Sequence, residues 1–216
     1  MQELNLRAIE TRSWKARQQD GLFDMYFGGL MLAISISALT EAFGATSLVR
    51  LITLMVLHFS AAGGFALAKR RYVTPRVGAV KFGVSRVRRS RVLQIAIGFC
   101  VLVTAALVVW TAFGESPLNL RLGRYALPTV VTLVVGIPLT AIAIFLEFGR
   151  VLLHAALFAA ATFALAASGQ SFMAPIPGAI AFGVSGSISV AIGAVIFIRF
   201  VRRIPTDRTE VPSDGS

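Results

Sequence analysis

Six apolar runs, each close to the length that crosses a bilayer, leave this chain few ways to fold. They cover roughly Leu22–Phe43, Thr46–Ala68, Val92–Phe113, Ala126–Phe148, Val151–Ser168 and Pro175–Phe200. A hydrocarbon core takes about 20 helical residues at about 1.5 Å each, and lipid offers the backbone no hydrogen-bond partners, so such segments must be helices. The expected fold is therefore all-α: a polytopic integral membrane protein with six transmembrane helices. Of the 216 residues 56% are hydrophobic and 14% charged, whereas soluble domains carry about 25% charged residues. Little chain remains for a water-soluble domain. The expected division is a juxtamembrane segment over 1–21, the six-helix domain over 22–203 and a disordered tail over 204–216.

Charge sets the orientation. Between the second and third runs lie nine cations: Lys69, Arg70, Arg71, Arg76, Lys81, Arg86, Arg88, Arg89 and Arg91. Arg7, Arg12, Lys15 and Arg17 precede the first run, Arg150 lies between the fourth and fifth, and Arg199, Arg202, Arg203 and Arg208 close the chain. Only Arg50, Arg121 and Arg124 fall on the other side. Because Lys and Arg are held on the cytoplasmic side, the bias implies that both termini and the basic loop 69–91 are cytoplasmic and that the location is the plasma (inner) membrane. The long polar start and long first run do not form a cleavable leader, so the first span should stay. Met1–Gln19 spaces Leu4, Leu6, Ile9 and Trp14 among cations, which fits either an interfacial helix with Trp14 at headgroup depth or a solvated tail.

Within the basic loop, Val73, Val77, Val80, Phe82 and Val84 alternate with polar residues and are broken by Pro75, Gly78 and Gly83. That pattern predicts an extended segment or short hairpin. Arg70, Arg71, Arg76, Lys81, Arg86, Arg88 and Arg89 are the candidates for binding anionic lipid or an acidic partner, at about 1 kcal/mol per cation near an anionic surface; a plain positive-inside anchor needs no ligand. Nucleic acid is not an expected partner, since Phe82 alone is no base-stacking platform.

A second set of residues forms a candidate structural polar cluster: Asp20, Asp24, Glu147, Arg150 and His154. Asp20 and Asp24 stand four apart, on one helix face, and repel unless cations approach; Arg76 or Lys81 is the expected source. Glu147, Arg150 and His154 gather around the EFGR turn, as a membrane-edge ion pair or a proton path would. Glu41 and Arg50 flank FGATS and can pair across that hairpin. His58 lies midway along the second run, where a polar side chain faces the bundle as a helix-to-helix hydrogen bond or as a site. Gly136 and Pro138 predict a bend in the fourth run. Gly28 and Gly29 permit close helix contact, and Ala179, Gly183, Ser187 and Ala191 repeat small residues every fourth position, a helix-packing pattern that predicts a tight pairing of the last two spans.

Two elements, DGLFDMYFGGL and TPRVGAVKF, resemble the paired signatures of a group of uncharacterised small bacterial and archaeal polytopic membrane proteins, in which a DGL-x-D-x-x-x-G-L element precedes the first helix and a T-x-PR-x-G-type element lies in a basic loop; here TPRVG lacks the spacer after the threonine. The resemblance covers some twenty-five residues. It implies that Asp20, Asp24, Arg76, Gly78 and Lys81 belong together and implies no activity.

Cys100 is the only cysteine. No intrachain disulfide can form, and Cys/His metal patterns are absent, so neither cofactor nor metal is expected. The GVSGSIS stretch lacks the spacing of a nucleophile elbow. The function expected is non-enzymatic: an accessory or regulatory subunit that binds a protein partner, a second copy or anionic lipid through its basic face. The alternative is a small transporter or channel for an ion or small solute using His58 and the Glu147, Arg150, His154 group.

Overall fold

The computed structural model describes residues 20–77, 125–145, 149–170 and 174–204. These residues are all-helical, with no strand among them. We label the helices α1 (Leu22–Ala42), α2 (Ser47–Ala68), α3 (Thr74–Val77), α4 (Ala126–Phe145), α5 (Val151–Ala167) and α6 (Pro175–Arg203). Five of the six apolar runs thus appear as α1, α2, α4, α5 and α6. The run Val92–Phe113 lies outside the described residues, as do Met1–Gln19 and the tail beyond residue 204. Three helices, Leu22–Ala42, Ser47–Arg76 and Pro175–Arg203, are long and apolar enough to cross a membrane.

The helix ends follow from local chemistry. Asp20 Oδ1 accepts the Leu22 N–H at 3.0 Å just ahead of α1, and Thr46 Oγ1 accepts the Val49 N–H at the start of α2. α6 begins with Pro175, whose missing N–H would have no helical partner there. α1 and α5 stop in the same way. Gly44 (φ 81°) and Gly169 (φ 74°) adopt the left-handed conformation, so that Ala45 N–H reaches Thr40 O and Gln170 N–H reaches Leu165 O; a side chain would strain that cap.

α1 and α6 are welded together, antiparallel, through glycine. A Cβ on Gly28 would lie 2.7 Å from Val190 N, one on Gly186 2.9 Å from Gly28 O, and one on Gly193 2.6 Å from Met25 N. Real Cβ atoms do not approach backbone so closely, so these helices meet main chain to main chain. Ser35 adds a hydrogen bond at the other end of the seam, donating to Ala179 O at 2.7 Å. α4 packs on α5, joined by the Thr132 and Thr162 hydroxyls 3.0 Å apart and by Tyr125 on Phe163. Met31, Phe158, Leu165 and Phe182 fill the space between the two pairs. α2 lies against α1.

This arrangement corrects two expectations. The tightest pair is α1 with α6, not α5 with α6. The close stripe on α6 runs through Ala179, Gly186 and Gly193, and although Ala179 and Gly183 face Ser35, Ser187 and Ala191 are exposed away from it. The reason is geometric: a four-residue step overshoots one turn of about 3.6 residues and drifts off the face, while a seven-residue step nearly closes two turns.

The basic segment after α2 is helical rather than extended as far as Val77. α2 runs into a π-turn, Lys69–Val73, and then α3. Pro75 cannot donate a backbone hydrogen bond, and the widened turn accommodates it: both the N–H and the hydroxyl of Thr74 bond to Lys69 O. Pro138 likewise sits inside α4, which continues to Phe145.

The outer surface is apolar. Ile180, Val184, Ile188, Val195 and Ile198 are exposed on α6, and Leu48, Ile52, Val56 and Phe59 on α2. A water-soluble monomer rarely presents such continuous faces.

Candidate functional site

Polar chemistry collects where α1 starts, α5 starts and α6 passes. Asp24 is in the first turn of α1, His154 in the first turn of α5, and Ser189 on α6 four residues before Gly193; all three side chains are 0% exposed. His154 Nε2 lies 2.7 Å from Asp24 Oδ1, and Nδ1 lies 3.0 Å from Ser189 Oγ. A carboxylate only accepts, so Nε2 carries the hydrogen; in the neutral tautomer Nδ1 then accepts a hydrogen bond from the Ser189 hydroxyl. Arg150, one turn before His154, brings Nη1 to 3.2 Å from Asp24 Oδ2. The ring of Phe27 stacks on the imidazole, centroids 5.6 Å apart. One aspartate thus holds a guanidinium and an imidazole from α5, while the same imidazole holds α6.

Asp20, also 0% exposed, has its own cation. Lys69 Nζ stands 3.7 Å from Asp20 Oδ2 and above the rings of Phe23 and Phe65, at 4.7 and 5.4 Å. Burial raises the Asp20 carboxyl above its ordinary range, and the Lys69 charge pulls the other way. The repulsion between neighbouring carboxylates is met by a separate cation for each. Arg76 or Lys81 is the source expected from the sequence; the Arg76 guanidinium instead donates to Tyr72 O at 2.7 Å, and Lys81 lies outside the described residues.

The exposed cations continue beyond this buried layer. Arg70 and Arg71 are exposed on the π-turn, and Arg199, Arg202 and Arg203 on the end of α6. The two segments are joined by Leu22, Val73 and Phe200 in one core and by Tyr72 edge-on to Phe197, 6.0 Å between centroids. α6 continues ten residues past Gly193, which faces Gly21 at the head of α1, or about 15 Å. A two-helix basic ledge therefore stands above the end of the bundle.

Other expected site residues fall as follows. Glu41 and Arg50 form an ion pair at the opposite end. His58 is half-buried with its ring against Phe59. Glu147, Gly78, Lys81, Arg86, Arg88 and Arg89 lie outside the described residues. Ser189 and Lys69 were not expected to be partners of the acidic pair. The signal for Ser189 was its place in the Gly186, Ser189, Gly193 spacing; Lys69 gave none beyond its charge. Among the described residues no three His, Cys, Asp or Glu side chains are grouped to hold a metal. No family model matches the chain, and neither does any curated protein or solved structure.

Proposed function

We propose that this is a non-enzymatic, multi-pass inner-membrane protein, an accessory or regulatory subunit whose basic cytoplasmic face binds an anionic surface: lipid phosphates or an acidic partner. The observation that carries the reading is the ledge. It brings Arg70 and Arg71, after the second apolar run, beside Arg199, Arg202 and Arg203, at the end of the last, while the aspartates at its base, Asp20 and Asp24, are buried and already matched by Lys69 and Arg150. The exposed cations are thus left facing outward, where each is worth about 1 kcal/mol against an anionic membrane.

Six spans with both termini inside is the topology that fits. α2 ends at the ledge and α4 begins beside the far end of α5, so an odd number of crossings joins them, and Val92–Phe113 is the apolar run between. The ledge then lies on the side favoured by the distribution of cations.

The test is the quadruple variant Arg70→Glu, Arg71→Glu, Arg202→Glu, Arg203→Glu, purified from native membranes in mild detergent with retained lipid and protein quantified by mass spectrometry. Loss of most of the anionic lipid, or of a stoichiometric partner, is expected. Recovery equal to that of the unaltered protein contradicts the reading.

A further inference from the structure

We propose that Asp24, His154 and Ser189, with Arg150, are a proton-binding latch that holds the α4–α5 pair against the α1–α6 pair and lets it shift when a proton is taken up. The two pairs are built differently. α1 and α6 touch backbone to backbone along Gly28, Gly186 and Gly193. α4 and α5 are held to each other through Thr132 and Thr162. Between the pairs lie apolar side chains, Met31 and Phe182 against Phe158 and Leu165, which can repack. Near the ledge the polar connection is the imidazole, bonded to α1 on one nitrogen and to α6 on the other, together with Arg150 on Asp24; further along, Ser185 Oγ donates to Leu157 O at 3.4 Å.

The hydrogen bonds are written for one protonation state. With His154 neutral, Asp24 and Arg150 balance in charge, and Nδ1 accepts from Ser189. A proton on Nδ1 turns that acceptor into a donor, so the Ser189 hydroxyl must rotate away, and it leaves two cations on one buried carboxylate. An unbalanced buried charge is costly, and movement of α5 toward the Arg150 surface relieves it by admitting water. Among the described residues the charged and titratable groups around the imidazole are few. α1 supplies Asp24, with Asp20 and Tyr26 nearby; α5 supplies Arg150; α2 supplies Lys69, held on Asp20; and α6 presents Ser189. The described part of α4 brings only apolar Leu139, Ile142 and Ala143 to this end. A histidine is the side chain whose charge changes in the physiological range; a purely structural bridge would have needed only a neutral amide.

The chain has two histidines, which makes the test direct. Full-length protein carrying His58→Gln, in lipid nanodiscs, gives one ¹⁵N-imidazole signal set, that of His154. Spin labels at Leu153→Cys on α5 and Val195→Cys on α6, in a Cys100→Ser background, report the separation of the pairs. Between about pH 8 and about pH 5 the imidazole should gain a proton, and a second distance population should appear, displaced by about 2–5 Å, the scale of helix shifts. Asp24→Asn and His154→Gln should each remove the second population. The proposal is overturned by an imidazole that keeps one protonation state over this range, or by one that titrates while the distance distribution stays fixed. The unsubstituted latch decides either way, even if a latch variant fails to fold.

Discussion

At the scale of single residues, burial is the deciding physical quantity. Asp24 and His154 are both fully enclosed, so removing either deprives the other of a buried hydrogen bond to a charged group, a loss of about 1.5–3 kcal/mol. Replacing both with leucine should cost less than the two single changes combined, with a coupling of about 1–3 kcal/mol. Denaturant titration of His154→Leu, Asp24→Leu and the double variant in one detergent measures that coupling, and strict additivity would refute it. Asp20 gives a pH prediction. Its carboxyl is raised in the folded protein by burial, so the folded state holds its proton more tightly than the unfolded chain. The resulting stabilisation is present below the unfolded carboxylate range and is lost as pH rises through the raised folded value. Asp20→Asn should abolish this component, and its unfolding midpoint relative to the unaltered protein should rise from acid toward neutral pH. A pH-independent difference would be the contrary result. The four-residue spacings Asp20 to Asp24 and Arg150 to His154 were legible in the sequence because a helix fixes them locally. The junction of Asp24, His154 and Ser189 was not, because it depends on how three distant helices pack.

At the scale of elements, glycine spacing carries the weight. Gly28→Leu and Gly186→Leu each insert a side chain where backbone of the opposite helix lies within 3 Å; each should destabilise by about 3 kcal/mol or more, beyond ordinary overpacking. Gly63 and Gly136 have open space around the Cβ position, and alanine there should be neutral or stabilise by about 0.5–1 kcal/mol through helix propensity. Thermal unfolding of the four variants in one detergent checks the contrast; equal effects would remove the seam from the account. The extents of α1, α2, α4, α5 and α6 were legible because length and hydropathy determine them. The choice of partners was not, since the four-residue series of small residues drifts off one face and only the packed helices show which small residues meet a partner. The helical course of Lys69–Val77 was hidden for a different reason. Alternating valines and a proline mark a strand, but the hydroxyl and N–H of Thr74 on Lys69 O carry the helix past Pro75.

For the whole molecule, the account rests on placing an apolar bundle in hydrocarbon with its ledge in the cytoplasm. That proposed placement uses the asymmetry between the ends: one carries Lys69, Arg70, Arg71, Arg150, Arg199, Arg202 and Arg203, while the other, among the described residues, carries Arg50 paired to Glu41. The overall class was legible from apolar runs alone because lipid admits so few backbone arrangements. The ledge was not, since its arms are separated in sequence by more than a hundred residues and meet through Tyr72, Val73, Phe197 and Phe200. The most direct measurement is the sidedness of single cysteines, in a Cys100→Ser background, at Tyr72, Arg203, Ala45 and Gln170, labelled with a membrane-impermeant maleimide in right-side-out and inverted vesicles. The account predicts that Tyr72→Cys and Arg203→Cys react only in inverted vesicles and Ala45→Cys and Gln170→Cys only in right-side-out ones. Reaction of the first pair from outside, or of all four from one side, would contradict it.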